Sequence, residues 1–429
     1  MIPRTKIVFL NPAGELGGAE RCLLDLIASM LQALPEIEIV LVAGADGPLV
    51  TEARALGIGV ELMPLPEALA SLGDSALRGR GRVRSLLQLL PRAIPAGLAT
   101  LAYARDTKRL LRRLEPTLIH SNGNKTHLLA CFTRPAKVPV VWHVRDFVGT
   151  RRLMARLLRL VSSRASGVVA ISDAVARDVS RIVSGVPVAR IYDAIDLREF
   201  SPGPGDGAGL DVLAGLPTAS AGTLRVGLIA TYARWKGHLV FLEAAARVLA
   251  TGGSPPLRFY IVGGPIYATG GSQFSEQELR SAAERLGIAA HVGFVGFRKD
   301  VANVFRALDI AVHASTQPEP FGRTIVEAMA CARPVIVARA GGAAELFTHG
   351  VDGLGCTPGS VEELAGAVSL LAADAGLRSA LADAARAHAA ARFSRVRIGP
   401  EVLAAYGRFT ACRVAPAGPA PRSGLGTTR

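Results

Sequence analysis

EPFGRTIVEAMACARPVIVARAGGAAE, residues 319–345, decides how the chain is read. An apolar run, LDIAVHAS (308–315), comes just before it. Pro320 and Gly322 break regular structure, so Glu319 sits on a loop. A helix starts near Arg323 or Thr324 and carries TIVEAMACA, and PVIVARAGG (334–342) reads as the next strand. Strand, loop, helix and strand in that order make a parallel crossover unit. Glu319 then follows a strand, and Glu327 falls within about the first helical turn. The free N–H groups of that helix start favour an anionic group. The two carboxylates suit sugar hydroxyls instead, because each accepts two hydrogen bonds.

The same alternation runs through the chain. KIVFLN (6–11), IEIVLVA (37–43), TLIHS (117–121), VPVVWHV (138–144) and SGVVAIS (166–172) are short apolar runs between helical stretches such as AERCLLDLIASMLQAL. It restarts with LRVGLIAT (224–231), LRFYIVGG (257–264) and HVGFVGF (291–297). The expected class is α/β, two tandem doubly wound domains facing each other across a cleft. Residues 1–200 form the first domain and 224–392 the second. The Pro/Gly-rich stretch 201–223 is a loop-rich boundary. A last helix at about 393–412 packs back on the first domain. The tail 413–429 is expected to be disordered. In such sheets ligands bind at the carboxyl ends of the strands, so the chemistry belongs to the loops that follow them.

Composition sets the outer limits. Half of the 429 residues are hydrophobic and aromatics are 5%, so the cores are built from Ala, Leu and Val. The five cysteines (Cys22, Cys131, Cys331, Cys356, Cys412) form no Cys-x-x-Cys pair and read as reduced thiols of a cytosolic protein. The first residues turn polar too soon for a signal peptide, and AIPAGLATLAYA (93–104) is too short and broken to span a bilayer. The net charge of +14 is uneven: Arg78–Arg113 holds ten basic residues and one acid, and Arg151–Arg164 five and none. Nucleic acid, anionic lipid and a plain basic surface all fit such runs. RRLMARLLRLVSSR (151–164), read as a helix, puts Leu153, Met154, Leu157, Leu158 and Val161 on one face and Arg152, Arg156 and Arg159 on the other. That favours docking on an anionic membrane over nucleic acid.

The opening stretch resembles the retaining glycosyltransferases of the family 4 type, which have the two-domain GT-B architecture. Their frame reads EPFGxxxxEAMAxGxPVIxxxxGGxxE, with Ala332 and Ala344 here in place of a glycine and a proline. The resemblance implies that Glu319 contacts the donor sugar and Glu327 the nucleotide ribose. ATYARWKGHLVFLEAAARV (230–248) resembles the segment in which an Arg and a Lys neutralise the donor diphosphate. Lys236 and Gly237 match it. The family Arg falls on Thr231, and Arg234 is the expected replacement.

Other loops follow. PAGELGGAERCLLDL (12–26) offers Gly17 and Gly18 to the donor phosphate and Glu20 to the acceptor or the helix start. His143 in VVWHVRDF (140–147) is implied to lie near the sugar's 6-hydroxyl as a catalytic group, with Arg145 on the acceptor side or at phosphate. Asn122, Asn124 and Lys125 in IHSNGNKTH (119–127) are acceptor-side candidates. Gly322, Gly341, Gly342 and Glu345 complete the donor side. Ser172 caps the helix after AIS. Asp193 and Ala194 stand where the family has Asn-Gly before the interdomain crossing.

No Ser/His/Asp set, Walker loop, metal cluster or Asp-x-Asp pair is present in the sequence. The resemblance therefore implies retaining, metal-independent transfer from a UDP- or GDP-sugar to a glycan or lipid-linked glycan, with no cofactor beyond this co-substrate. It also implies bacterial surface polysaccharide assembly and a cytoplasmic or inner-face peripheral location. A silent glycan- or membrane-binding subunit, and an epimerase or hydrolase on the same fold, are the alternatives. The glutamate pair argues against the second, and Thr231 leaves the first open.

Overall fold

Apolar, β-branched runs of four to six residues flanked by glycine form strands that are buried on both faces, the pattern of a parallel sheet. The computed structural model describes residues 5–66, 84–252, 255–265 and 271–410, the stretch 84–96 by its backbone only. The first sheet has seven strands in the order β3-β2-β1-β4-β5-β6-β7. These are β1 Lys6–Asn11, β2 Glu38–Ala43, β3 Gly59–Leu62, β4 Leu118–Asn122, β5 Val140–Val144, β6 Gly167–Ala170 and β7 Val188–Arg190. The second has six in the order β10-β9-β8-β11-β12-β13. They are β8 Leu224–Ile229, β9 Leu257–Val262, β10 Val292–Val295, β11 Ile310–His313, β12 Val335–Ala338 and β13 Leu354–Cys356. All pairings are parallel. The two-domain α/β architecture expected from the sequence is the one observed.

Helix Arg395–Phe409 lies against helix Gly18–Ala33, and the Gly399 amide donates to Ser29 Oγ at 2.9 Å. The last helix of the chain therefore completes the core of the first domain. Where the chain crosses between domains, Tyr192, Phe321 and Phe393 pack with ring centroids 5.9 to 6.2 Å apart. One apolar core runs continuously from the first sheet through this crossing to the second.

Three readings change. The boundary 201–223 is not loose: it carries a helix, Gly207–Leu213, whose buried Asp211 accepts from Arg225 Nη2 at 2.8 Å and pairs with Arg258. Burial opposes ionisation of Asp211, but its bonds from Arg225 and Tyr260 hold the carboxyl at about 2. The stretch 93–104 does not break: it lies inside one helix, Arg84–Leu114. Among the described residues no single helix is long and apolar enough to cross a membrane. The basic residues at 78–83 and the tail 413–429 lie outside the described residues.

Candidate active site

Glu319 is fixed by three loops that leave the carboxyl ends of neighbouring strands. β11 lies between β8 and β12 at the centre of the second sheet. Its following loop bonds to the loop after β12: Glu319 N donates to Ala340 O at 3.2 Å, and Gly342 N donates to Glu319 O at 2.7 Å. Gly341 has φ +67°, and a Cβ there would sit 2.4 Å from Glu319 O, so the approach requires glycine. The loop after β8 brings Lys236, whose Nζ donates to Glu319 Oε2 at 2.6 Å. Gly237, with φ +80°, turns the chain into the next helix where a Cβ would meet Ala314 O at 1.8 Å.

Glu319 is 8% exposed. Burial alone would push its carboxyl up, but the Lys236 charge and a bond from His313 hold it well below the usual carboxylate range. His313 Nε2 lies 3.3 Å from Oε2, and Ser315 Oγ donates to the same oxygen at 3.0 Å. The site thus presents a carboxylate that stays ionised, with a lysine beside it. His313 and Ser315 were missed in the sequence because they read as the end of strand β11.

Glu327 lies in helix Arg323–Ala330, whose N-cap is Gly322 in the left-handed region. Its Oε1 accepts from Arg323 Nε at 2.6 Å. Burial pushes this carboxyl up, and Arg323 works against that. Glu345 turns away from the donor side. Its two oxygens accept from the Asp173 and Ala174 backbone amides, each at 2.7 Å, and from the Tyr192 hydroxyl at 3.2 Å. It caps helix Asp173–Ser180 of the first domain, together with Ser172, whose Oγ accepts from Val175 N at 3.1 Å.

Arg234, the expected replacement for the missing cation, is held elsewhere. Its guanidinium pairs with Glu278 at 2.8 Å and lies over the Phe274 ring. Thr231 is half-buried just past β8.

In the first domain, Gly17 caps helix Gly18–Ala33, and its amide donates to Glu20 Oε2 at 3.2 Å. Glu20 thus serves the helix start, and burial raises its carboxyl. Nothing lies within 4 Å of the position a Cβ would take on Gly18. Arg145 is buried: it donates to Asn122 Oδ1 at 2.7 Å and pairs with Asp193, while Asn122 Nδ2 donates to Asn11 Oδ1 at 2.7 Å. Asn122 and Arg145 therefore brace the strand ends, and Asp193, at the substituted crossing, has a structural partner.

His143 is fully buried, with Nδ1 3.1 Å from His120 Nε2 and 3.3 Å from Arg145 Nη2. It stands behind Arg145 in the layer under helix Arg395–Phe409, not on the cleft wall. Burial, then the Arg145 charge, depresses its pKa well below the ordinary value. Asn124 and Lys125 are half-buried at the start of helix Asn124–Thr133. Burial and the charge of Arg151 lower the Lys125 pKa. Asp146, unassigned in the sequence, is half-buried, and the Glu319 charge raises its pKa across the interdomain space after burial has done so. Among the described residues no three His, Cys, Asp or Glu side chains gather as a metal-ligand set.

Two family models match. Residues 16–199 fit Glycosyltransferase Family 4 and residues 221–388 fit Glycosyl transferases group 1. The D-inositol 3-phosphate glycosyltransferase of Mycobacterium marinum is 34% identical over 230 residues, 52% of this chain and 46% of that protein. The protein of the same name from Stackebrandtia nassauensis is 31% identical over 264 residues, 61% of this chain and 56% of that protein. The matched stretch thus spans about half the length of these curated relatives. The structure of Anabaena Alr3699/HepE in complex with UDP has a TM-score of 0.74 and 27% identity, and the match covers 94% of this chain and 100% of that one. The same protein with UDP-glucose gives a TM-score of 0.72. With a family model on each domain and this fold around the glutamate pair, the chain belongs to the family 4 glycosyltransferases of GT-B type.

Proposed function

We propose that the chain transfers a sugar from a nucleotide-diphosphate sugar, a UDP-sugar first, to a hydroxyl of a glycan or lipid-linked glycan, with retention and without a metal. The observation that carries this is the ionised Glu319 held against Lys236 at the end of β11, with Glu327 on the helix that follows. Glu319 takes hydroxyls of the donor sugar and Glu327 the ribose hydroxyls. Lys236 and the glycine amides at 17–18 and 341–342 face the diphosphate. The bond from the anomeric carbon to the diphosphate oxygen breaks. The acceptor oxygen bonds to that carbon on the same face, and its proton passes to the departing phosphate oxygen. No enzyme nucleophile is used. Positioning, and positive charge at the leaving group, supply the rate. UDP and UDP-glucose in the Anabaena structures favour a uridine donor.

The acceptor reading rests on the surface of the first domain. Helix Arg152–Val161 buries Leu158 and Val161, so the apolar face read from the sequence is partly core. Leu153, Leu157 and Leu160 stay exposed, Leu160 at 78%, among Arg152 and Arg156. Phe132, with Arg164 over its ring, is also exposed. This face suits an anionic bilayer carrying a lipid-linked acceptor, and so a peripheral, cytoplasmic-side location and a role in surface polysaccharide assembly.

A thermal-shift panel of UDP, GDP, ADP and CMP, with and without Mg²⁺, tests the donor reading on the native protein and on Glu327→Ala. At about a hundred times its Kd a ligand adds about 2.7 kcal/mol. UDP should stabilise the native chain, Mg²⁺ should not matter, and the variant should respond less. No shift with any nucleotide would return the chain to the silent binding subunit.

A further inference from the structure

We infer that Arg323 is a positioning residue that holds the Glu327 carboxylate for the nucleotide ribose and ties that placement to the first domain through Asp25. The inference rests on the ribose reading of Glu327. The family frame leaves position 323 open, yet here the side chain joins two domains.

Its separate N–H groups reach different partners. Nε donates to Glu327 Oε1 at 2.6 Å, and Nη1 donates to Asp25 Oδ2 at 2.7 Å. Nη1 also lies 3.3 Å from Ala194 O, at the substituted crossing segment. Asp25 belongs to helix Gly18–Ala33, so the contact spans 298 positions of sequence. Asp25 Oδ1 is in turn 3.4 Å from Arg395 Nη1, and Arg395 Nη2 meets Asp196 at 2.6 Å. Charges of alternating sign thus run from Glu327 to the last helix. The side chains of Arg323, Asp25 and Glu327 are 13%, 11% and 6% exposed, so water screens this chain little.

The arrangement leaves Glu327 half occupied. Oε1 is taken by Arg323, and no described side chain bonds Oε2. A ribose hydroxyl pair needs the carboxylate ionised and its open edge pointed at the cleft. The groups facing it are Arg323 on its own helix and Arg21 and Asp25 on helix Gly18–Ala33. Arg323 is the one cation that touches it. A lysine would hold the charge, but it lacks the fork that reaches both carboxylates.

The test is UDP affinity by calorimetry and donor KM and kcat, on Glu327→Gln, Arg323→Met, Arg323→Lys, Asp25→Asn and the Asp25→Asn/Arg323→Met double variant. Arg323→Met should weaken UDP about tenfold and raise donor KM more than it lowers kcat. Arg323→Lys should recover little of this. Asp25→Asn should weaken UDP severalfold although Asp25 is on the opposite domain, and the double variant should be no weaker than Arg323→Met alone. A fold defect would instead lower thermal stability without this non-additivity. If Arg323→Met does not fold, Asp25→Asn and Arg323→Lys carry the test. UDP affinity unchanged in Asp25→Asn, or single effects that simply multiply, would overturn the inference. Unchanged affinity in Glu327→Gln would overturn the ribose reading beneath it.

Discussion

Lys236→Met isolates the electrostatic centre of the site. The pair is 2.6 Å apart, with side chains 19% and 10% exposed. Removing one partner of a buried pair costs about 3–5 kcal/mol, because the other charge is left without compensation. Here Ser315 and His313 still reach Glu319 Oε2, so the lower end applies, about 3 kcal/mol. At about 2–4 °C per kcal/mol for a domain of this size, the ligand-free melting temperature should fall by about 6–12 °C at pH 7.5. Calorimetry reads it. Adding Glu319→Gln should recover part of the loss, since an amide tolerates the site without a counter-charge. The pH dependence has a definite sign. The folded carboxyl is held below its ordinary 4.5, so its stabilisation is present above that value and is lost as pH falls toward the folded pKa. In Lys236→Met burial acts without the lysine, so Glu319 takes up a proton at higher pH. The gap between the two proteins should therefore narrow on acidification from pH 7.5 toward 4. A drop under about 2 °C, or a gap that widens in acid, would refute the account of Glu319 as a carboxylate kept ionised by Lys236.

Glu345→Gln should cost about 1–2 kcal/mol, the scale of a charged helix cap, and should raise the radius of gyration measured by small-angle scattering as the domains loosen. An unchanged melting temperature would mean the cap is idle. Leu160→Glu should leave the fold intact and weaken sedimentation with anionic vesicles at moderate salt, whereas unchanged sedimentation would remove this helix from the docking face.

How far the fold could be read follows from where each strand lies. Ten strands were read from apolar runs, and the three not read are β3, β7 and β13, all sheet edges. An edge strand pairs on one side only, so GVEL, VAR and LGC need no continuous apolar run. Composition misled at 201–223 for a related reason. Glycine and proline frequency describes the backbone, while what orders that segment is the single buried Asp211 with partners on β8 and β9. At the site the reading reached every residue that the loop order alone puts after a strand. It could not reach Asp25 or the role of Arg323, because nothing local marks a partner 298 residues away.

Glu345 shows why the remaining assignment could not be made by pattern. A carboxylate facing a donor sugar and one facing a helix start both answer to a cluster of hydrogen-bond donors, so the same spacing serves either. The structure puts Glu345 on the amides of Asp173 and Ala174, which fills the N-terminus of helix Asp173–Ser180 with a charge of the protein's own. A phosphate cannot use those amides without displacing it. Arg234 is held by Glu278, and Thr231 carries no charge. In the proposed reaction the negative charge that grows on the leaving diphosphate therefore falls to Lys236 and to backbone amides, which makes this lysine, already bound to Glu319, the group that links sugar recognition to departure of the nucleotide.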